Sequence, residues 1–236
     1  SSASAGAFNQ YYEHDLDPLM ARTRTRPFVT GEIKHGPIWL VIIAALTVLS
    51  VGAAWIALNA WSALFVFLGA FFYAIVYTVW LKRRTWLNIV FGGLAGSWAV
   101  LAGAAAADQQ LGAVPLALAF VLFLWTPPHF WSLAIAFRED YKAAGVPMLP
   151  VVVGDQRAAQ TIFYSTLALV AASFLPLAFG LGPIYAIGAA TGGFLFIQKA
   201  WLLAQEPTRK TAMACFFSSL VQLTLVLLAA IIDARF

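Results

Sequence analysis

The residues best suited to chemistry lie in a short polar segment near the start of the chain, residues 9–27. Asn9, Glu13 and Asp17 are spaced four apart, so in a helix they form one polar stripe, with Asp15 on another face. Mg²⁺ prefers carboxylate and amide oxygens and usually keeps waters and substrate phosphates among its ligands. The segment therefore predicts a magnesium site that holds a polyphosphate.

Basic residues near this stripe could bind the phosphates. Arg22 and Arg26, again four apart, could each bind phosphate oxygens bidentately through two N–H groups of the guanidinium. Lys82 and Arg83 begin a compact positive patch that could hold a diphosphate leaving group or anchor to anionic lipid. The alternative for residues 9–27 is an ordinary surface loop whose acidic and basic side chains pair with each other.

A second group of candidate residues lies in the segment 123–151. Pro127 and Pro128 are expected to break or kink a span and free backbone carbonyls. His129 follows them and could be a base, a substrate contact, a haem ligand, or a histidine satisfied by a freed carbonyl. Asp140 could supply a second metal or diphosphate contact. Further contacts at the same site are expected from Asp15, Lys34, Tyr77, Asn88, Tyr141 and Lys142.

The composition indicates that these residues sit in a polytopic membrane protein. The 236 residues are 62% hydrophobic and only 10% charged, whereas soluble domains are nearer half apolar and a quarter charged. The single Cys215 excludes a disulfide framework and a cysteine-based metal site. The basic residues lie in short loops between apolar runs, so membrane topology explains them better than nucleic-acid binding does.

Seven apolar runs are long enough to cross a bilayer, which takes about 20 residues. They fall at 38–57, 60–80, 87–107, 113–137, 161–180, 183–203 and 211–232. Residues before them resemble the last turns of another span, so we expect one or two N-terminal spans to be absent from a single membrane domain over 1–236. The polar loops 11–37 and 138–160 lie four spans apart, which suggests two similar halves around one site.

The distribution of basic residues predicts the orientation. Thirteen of the fourteen Lys and Arg residues lie on the side of the long loops, and only Arg235 lies on the other. The positive-inside rule places the long loops in the cytoplasm of a bacterial plasma membrane, or in the matrix if this is an organelle protein. The candidate chemistry is all on that side, apart from His129, which is expected within a span.

The chain resembles the UbiA superfamily of intramembrane prenyltransferases over essentially its whole length. Three segments carry this resemblance. Asn9, Glu13 and Asp17 occupy its first motif, NxxxDxxxD, with Glu13 in place of the central Asp. The runs YTVWLKRRTWLNIVFGGLAGS from Tyr77 and WTPPHFW with DYKAAGVPMLPV from Trp125 are similar to the branch that prenylates haem. The second acidic motif of the superfamily is reduced to Glu139 and Asp140.

The resemblance implies an all-α membrane bundle, with nine helices in the family, around a central cavity. It implies farnesyl diphosphate and haem B as substrates and haem O as the product, passed on to a haem A synthase or to oxidase assembly. Mg²⁺ on Asn9, Glu13, Asp17 and Asp140 would neutralise the departing diphosphate, together with Arg22, Arg26, Lys82 and Arg83. His129 is assigned to the haem side, as an iron ligand or an aid to the attacking water.

Three other functions compete with this one. A transporter with an ion site would need charges at mid-depth, whereas here they cluster at one membrane face. A haem-carrying electron-transfer subunit would need paired axial ligands within the spans, and of His14, His35 and His129 only the last lies in one. A prenyltransferase acting on a quinone precursor or another aromatic acceptor keeps the family, but the WTPPHFW segment argues against it.

Overall fold

The computed structural model describes residues 1–234, and in that range it contains helices and no strand. The predicted all-α fold is confirmed. The α-helices are α1 Ser2–Tyr12, α2 Pro27–Thr30, α3 Ile38–Ala57, α4 Ala60–Phe71, α5 Asn88–Gly92, α6 Leu94–Ala107, α7 Ala113–Ala136, α8 Arg138–Ala143, α9 Leu149–Val153, α10 Asp155–Ala172, α11 Pro183–Gln205 and α12 Arg209–Asp233. A π-helix covers Phe72–Leu81, and short 3₁₀ turns cover Asp17–Leu19 and Leu175–Phe179.

Seven helical segments of the described chain are long and apolar enough to cross a membrane, as predicted. They are Ile38–Ala57, Ala60–Leu81, Asn88–Ala107, Ala113–Ala136, Asp155–Phe179, Pro183–Gln205 and Arg209–Asp233. The fifth begins six residues earlier than the predicted start at 161. Gly154 turns the chain with a φ of 82°, and Asp155 then places a carboxylate at the positive end of the helix. Arg235, on which the orientation count partly rests, lies outside the described residues.

Large apolar side chains remain exposed along the spans, as lipid contact requires. Ile56 is 88% exposed, Val48 is 70% exposed and Phe194 is 68% exposed. Exposed apolar surface on this scale is unfavourable in water, so these helix faces fit a bilayer. The chain is an integral membrane protein.

The first of two compact units comprises Ser1–Leu111 and Glu139–Pro147. Within it, α4 packs along α6. Asn59 joins these helices, because its side chain accepts from the backbone N–H of Ser62 and donates to the carbonyl of Ala105 at 2.6 Å. This places an N-cap and an interhelical bond on one residue.

The second unit comprises Gly112–Arg138 and the residues from Met148 onward. Its helix α11 approaches α12 and α10 very closely: a Cβ at Gly188 would lie 2.5 Å from the Ala229 side chain, and one at Gly193 would lie 2.6 Å from Val170. Small residues permit this packing in membrane helices. The expectation of one domain over residues 1–236 stays a prediction.

Candidate active site

The first motif does not lie on one helix, so the prediction of a continuous helical stripe is wrong. Helix α1 ends at Tyr12, and the N–H groups of Leu16 and Asp17 both bond to the carbonyl of Glu13 as the chain turns. Pro18 has no N–H to donate, and around it the chain forms the short 3₁₀ turn Asp17–Leu19 instead of a continued α-helix.

The turn nevertheless brings the motif side chains to a shared buried position. Asn9 is 3% exposed, and Glu13 and Asp17 are fully buried. One guanidinium nitrogen of Arg26, Nη1, lies 2.9 and 2.8 Å from the two carboxylate oxygens of Asp17 and 3.4 Å from Oδ1 of Asn9. Three oxygens thus converge on one point of positive charge, which is what a cation site requires.

Glu13 pairs with a different cation. Lys82 Nζ donates to Glu13 Oε2 at 2.5 Å, and both side chains are buried. Burial lowers the pKa of Lys82, and the Glu13 carboxylate offsets only part of this effect. The other oxygen, Glu13 Oε1, is buried without a hydrogen-bond partner among the described residues. We call Asn9, Glu13 and Asp17, with the cations Arg26 and Lys82, the carboxylate cluster.

The π-helix Phe72–Leu81 supplies the other side of the carboxylate cluster. Asn9 Nδ2 donates to Thr78 Oγ1 at 3.2 Å, and Thr78 Oγ1 donates to the carbonyl of Tyr73 at 2.8 Å. Thr78 therefore faces Asn9 just as Lys82, four residues later, faces Glu13. Long π-helical segments are rare and often mark functional sites.

Sequence analysis missed Thr78, although a signal was present. Thr78 and Lys82 have the same four-residue spacing as Asn9 and Glu13, which predicts that two matching pairs could form if the segments lie side by side. Nothing in the sequence gave the partner of either residue, because the pairs are 69 residues apart.

A third ion pair, between Arg83 and Asp15, lies at the edge of the carboxylate cluster and is partly exposed. Arg83 donates two hydrogen bonds of 2.8 Å to the two oxygens of Asp15. The hydrogen bond from Arg83 lowers the pKa of Asp15, and Asp15 in turn raises the pKa of Arg83. The alternative that acidic and basic side chains of residues 9–27 pair with each other is correct for one pair, because Asp17 pairs with Arg26.

Helix α8 joins the first unit through the loop that carries Arg22. Asp140 Oδ2 accepts a hydrogen bond from the backbone N–H of Ala21 at 3.2 Å. Burial raises the pKa of Tyr141, whereas the neighbouring Arg22 lowers it by a smaller amount. Asp140 thus holds the loop on which Arg22 is exposed to solvent. Its predicted role as a metal ligand stays a prediction.

The other predicted contacts have different surroundings. Tyr77 packs against Gly92, where a Cβ would lie 2.8 Å from the ring. Asn88 is fully buried and donates to the Thr85 carbonyl at 2.6 Å. Lys34 and Lys142 are exposed.

The donor set fits Mg²⁺ better than a transition metal. No group of three or more His, Cys, Asp or Glu in residues 1–234 could hold a metal ion. Mg²⁺ does not need such a group, because it is commonly bound through one or two carboxylates together with substrate phosphates and water. Asp17 and Glu13 are two buried carboxylates, and the amide oxygen of Asn9 shares Nη1 of Arg26 with Asp17. Within residues 1–234, Glu13 Oε1 has no hydrogen-bond partner.

His129 belongs to the second unit, on a helix that does not break. Helix α7 continues from Ala113 to Ala136 through Pro127 and Pro128, so of the two predicted alternatives the break is wrong, and a kink stays a prediction. Proline is tolerated in membrane helices whose neighbours support the backbone, and here α10 and α12 pack against α7. Ser132 Oγ donates to the carbonyl of Pro128 at 2.6 Å.

The ring of His129 is enclosed by aromatic rings and one hydroxyl. It stacks on Trp125 at 4.0 Å and on Phe216 at 4.4 Å between ring centroids. Its Nδ1 lies 2.6 Å from Ser219 Oγ. We call His129, Trp125, Phe216 and Ser219 the His129 pocket. Trp125 begins the WTPPHFW segment singled out in the sequence, whereas Phe216 and Ser219, which come from α12, were not predicted.

Residues 1–221 match the UbiA prenyltransferase family. The chain is 58% identical to protoheme IX farnesyltransferase 2 of Paramagnetospirillum magneticum, over 99% of this chain and 81% of that protein. It is 43% identical to protoheme IX farnesyltransferase 1 of Cenarchaeum symbiosum, over 100% of this chain and 79% of that protein.

Two solved structures have a similar fold. One is of a digeranylgeranylglyceryl phosphate synthase, with a TM-score of 0.79 and 23% identity over 98% of this chain and 81% of that one. The other is an apo UbiA homologue from Aeropyrum pernix, with a TM-score of 0.73 and 20% identity over 95% and 84% of the two chains. At these identities the likeness concerns the fold.

Proposed function

The chain belongs to the UbiA prenyltransferase family, and from this premise we propose that it transfers the farnesyl group of farnesyl diphosphate to a vinyl group of haem B. Water adds in the same reaction, and the product is haem O. The relatives named protoheme IX farnesyltransferase support the reaction, since the similarity spans nearly the whole chain. The observation that carries the site assignment is the convergence of three oxygens on one cation position in the carboxylate cluster.

The carboxylate cluster is proposed to bind the diphosphate end of the substrate. Asn9, Glu13 and Asp17, with Asp140 as a further candidate, would hold Mg²⁺, which supplies positive charge to the leaving diphosphate. In the structure, Arg26 is paired with Asp17 and Lys82 is paired with Glu13. With Mg²⁺ held by the carboxylates, Arg26 and Lys82 would both be available to phosphate oxygens. Arg22 and Arg83 are proposed to add further positive charge.

The reaction then proceeds by ionisation. The bond between C1 of the farnesyl group and the diphosphate oxygen breaks, and both electrons leave with the diphosphate. The terminal carbon of the haem vinyl group attacks the allylic cation, which leaves a cation on the carbon next to the porphyrin ring. Water adds there and loses a proton, giving the hydroxyl group. Fixed positive charges beside the leaving group lower the barrier of the first step.

The second unit is proposed to handle haem. His129 lies between aromatic rings, which suits a large flat ligand, and it is a ligand type that haem iron accepts. We further propose that the membrane is a bacterial plasma membrane with loops 11–37 and 138–160 on the cytoplasmic side. A haem A synthase or oxidase assembly machinery as the recipient of haem O stays a prediction.

Mass spectrometry of extracted haems tests this function. Membranes that contain the chain are incubated with haem B and Mg²⁺, with and without farnesyl diphosphate. We expect haem O only when farnesyl diphosphate is present. A prenylated quinone precursor with no change in haem would instead support another acceptor, and unaltered haem bound throughout purification would support a haem carrier.

The Asp17→Ala variant links the reaction to the carboxylate cluster. It is expected to lose haem O formation, because it removes the two oxygens nearest the cation position. Asp108→Asn is the matched control, since Asp108 is an exposed carboxylate that accepts a hydrogen bond from Gln110 far along the chain from the cluster. Undiminished product from a stably inserted Asp17→Ala variant would contradict the site assignment.

A further inference from the structure

A single hydroxyl, Ser219 Oγ, makes two short hydrogen bonds inside the second unit. It lies 2.6 Å from the backbone carbonyl of Phe216 and 2.6 Å from Nδ1 of His129. His129 is 5% exposed, and Ser219 is fully buried. The two bonds therefore persist without competition from solvent, and the positions of their protons determine the state of the imidazole.

The protons can be assigned from the chemistry of the three groups. A backbone carbonyl only accepts, so the Ser219 hydroxyl must donate its one proton to Phe216. The contact with His129 then needs a proton from Nδ1. The described partners of His129 are a hydroxyl and aromatic rings rather than a carboxylate, and a charged ring in these surroundings would be costly. The ring is therefore neutral, with a proton on Nδ1 and a free electron pair on Nε2.

The surroundings also restrict how a ligand can reach this electron pair. Trp125 and Phe216 stack on the ring of His129 at interplanar angles of 20° and 26°. Trp125 is itself held by Ser219, since its indole N–H donates to the Ser219 carbonyl at 2.9 Å. With both faces covered, a ligand approaches His129 in the plane of the ring, on the edge that carries Nε2.

We propose that Ser219 is a positioning residue, which holds His129 with Nε2 unprotonated as an electron-pair donor to substrate. This inference rests on the proposed function, and the acceptor is either the iron of haem B or an O–H of the attacking water. The partner that fixes one imidazole nitrogen sets which nitrogen is available for chemistry. Ser219 plays that role from a helix 90 residues away along the chain.

The tautomer is tested directly on the full chain without substrate. The protein is labelled with ¹⁵N-histidine and placed in lipid nanodiscs, and the His129 signals are assigned by their loss in His129→Gln. We expect the wild-type spectrum to show a protonated Nδ1 and an unprotonated Nε2, and Ser219→Ala to show a mixture of tautomers. A wild-type ring protonated at Nε2 would overturn the inference, whatever the enzyme does.

Turnover tests the role of the tautomer. Ser219→Ala is expected to lower the rate of haem O formation about tenfold to a hundredfold, as the loss of an orienting partner typically does, while the KM for farnesyl diphosphate stays unchanged. Ser219→Thr keeps the hydroxyl and should restore most of the rate. The control is Ser218→Ala, because Ser218 bonds to the Cys215 carbonyl instead of His129. If Ser219→Ala matches this control in rate and tautomer, the inference is wrong.

The electron-pair acceptor is identified by titrating haem B into the same variants. A shift of the Soret band that is lost in His129→Gln and weakened in Ser219→Ala assigns Nε2 to the iron. An unshifted band, combined with prenylated haem that lacks the added water in both variants, assigns it to the attacking water. If wild type shows the expected tautomer but forms no haem O, the proposed function fails while the positioning by Ser219 stands.

Discussion

The carboxylate cluster and the His129 pocket stabilise buried polar groups in opposite ways. In the carboxylate cluster each acid is matched by a cation of the same chain, Arg26 on Asp17 and Lys82 on Glu13. In the His129 pocket the polar ring is neutral and is held by one hydroxyl between two aromatic rings. Ion pairs can be exchanged for a metal ion and a diphosphate, whereas a neutral aromatic pocket suits a flat, largely apolar acceptor.

The largest effect is expected from neutralising the carboxylate cluster. Asp17→Asn should lower haem O formation about 100-fold or more, because removing one group that supports developing charge costs that much in comparable sites. It should leave the stacking of His129 unchanged. The rate is measured by mass spectrometry of haems, and equal rates for wild type and variant would remove the functional difference between the two regions.

The next effect concerns stability and separates the ion pair from the chemistry. Glu13→Gln leaves Lys82 buried without its partner, and breaking a buried pair costs about 3–5 kcal/mol. The double variant Glu13→Gln with Lys82→Met should recover much of this loss but stay inactive. Thermal unfolding in detergent measures the first result, and haem O formation measures the second. An active double variant would show that the pair is only structural.

His129→Gln is expected to act on the acceptor rather than on the diphosphate. Haem affinity should fall about tenfold, which corresponds to about 1.4 kcal/mol, because the variant removes the imidazole that is proposed to meet haem. Affinity for farnesyl diphosphate should remain within about twofold of wild type. Spectral titration with haem and a binding assay with labelled farnesyl diphosphate make the measurement. Equal loss of both affinities would point to a general structural role for His129.

The smallest effect belongs to the exposed pair beside the carboxylate cluster. Asp15→Asn should change stability by about 0.2–1 kcal/mol, since half-exposed ion pairs are screened by solvent. The pKa of Asp15 is lowered from its ordinary value of 3.8. Its stabilising contribution is therefore present above that value and is lost as the pH falls through the lowered pKa. Unfolding curves of wild type and variant should converge at that acidic end, and a difference that grew there would contradict the assignment.

Sequence patterns predicted the spans well, because a span depends on local composition. A run such as Ile38–Ala57 must be helical to satisfy its backbone in lipid, and charges such as Glu13 and Lys82 are conspicuous in an apolar chain. The end of α1 at Tyr12 was not predictable, because the four-residue spacing of Asn9, Glu13 and Asp17 is typical of a continuing helix and Pro18 lies several residues beyond that end.

Pairings between residues far apart in the chain could not be predicted from the sequence. Lys82 was predicted to meet a diphosphate, yet its partner in the structure is Glu13. Ser219 carries no signal at all, because a serine within a span ordinarily bonds to its own helix, as Ser219 also does to Phe216. Only the placement of α12 against α7 reveals that the same hydroxyl meets His129.

The most direct test of the account is a titration of farnesyl diphosphate into the purified full chain, with and without Mg²⁺. Wild type and His129→Gln are expected to bind it with similar affinity and only when Mg²⁺ is present, whereas Asp17→Asn should not bind it measurably. Asp17→Asn binding with wild-type affinity, or His129→Gln losing binding to the same degree, would contradict the assignment of the diphosphate to the carboxylate cluster.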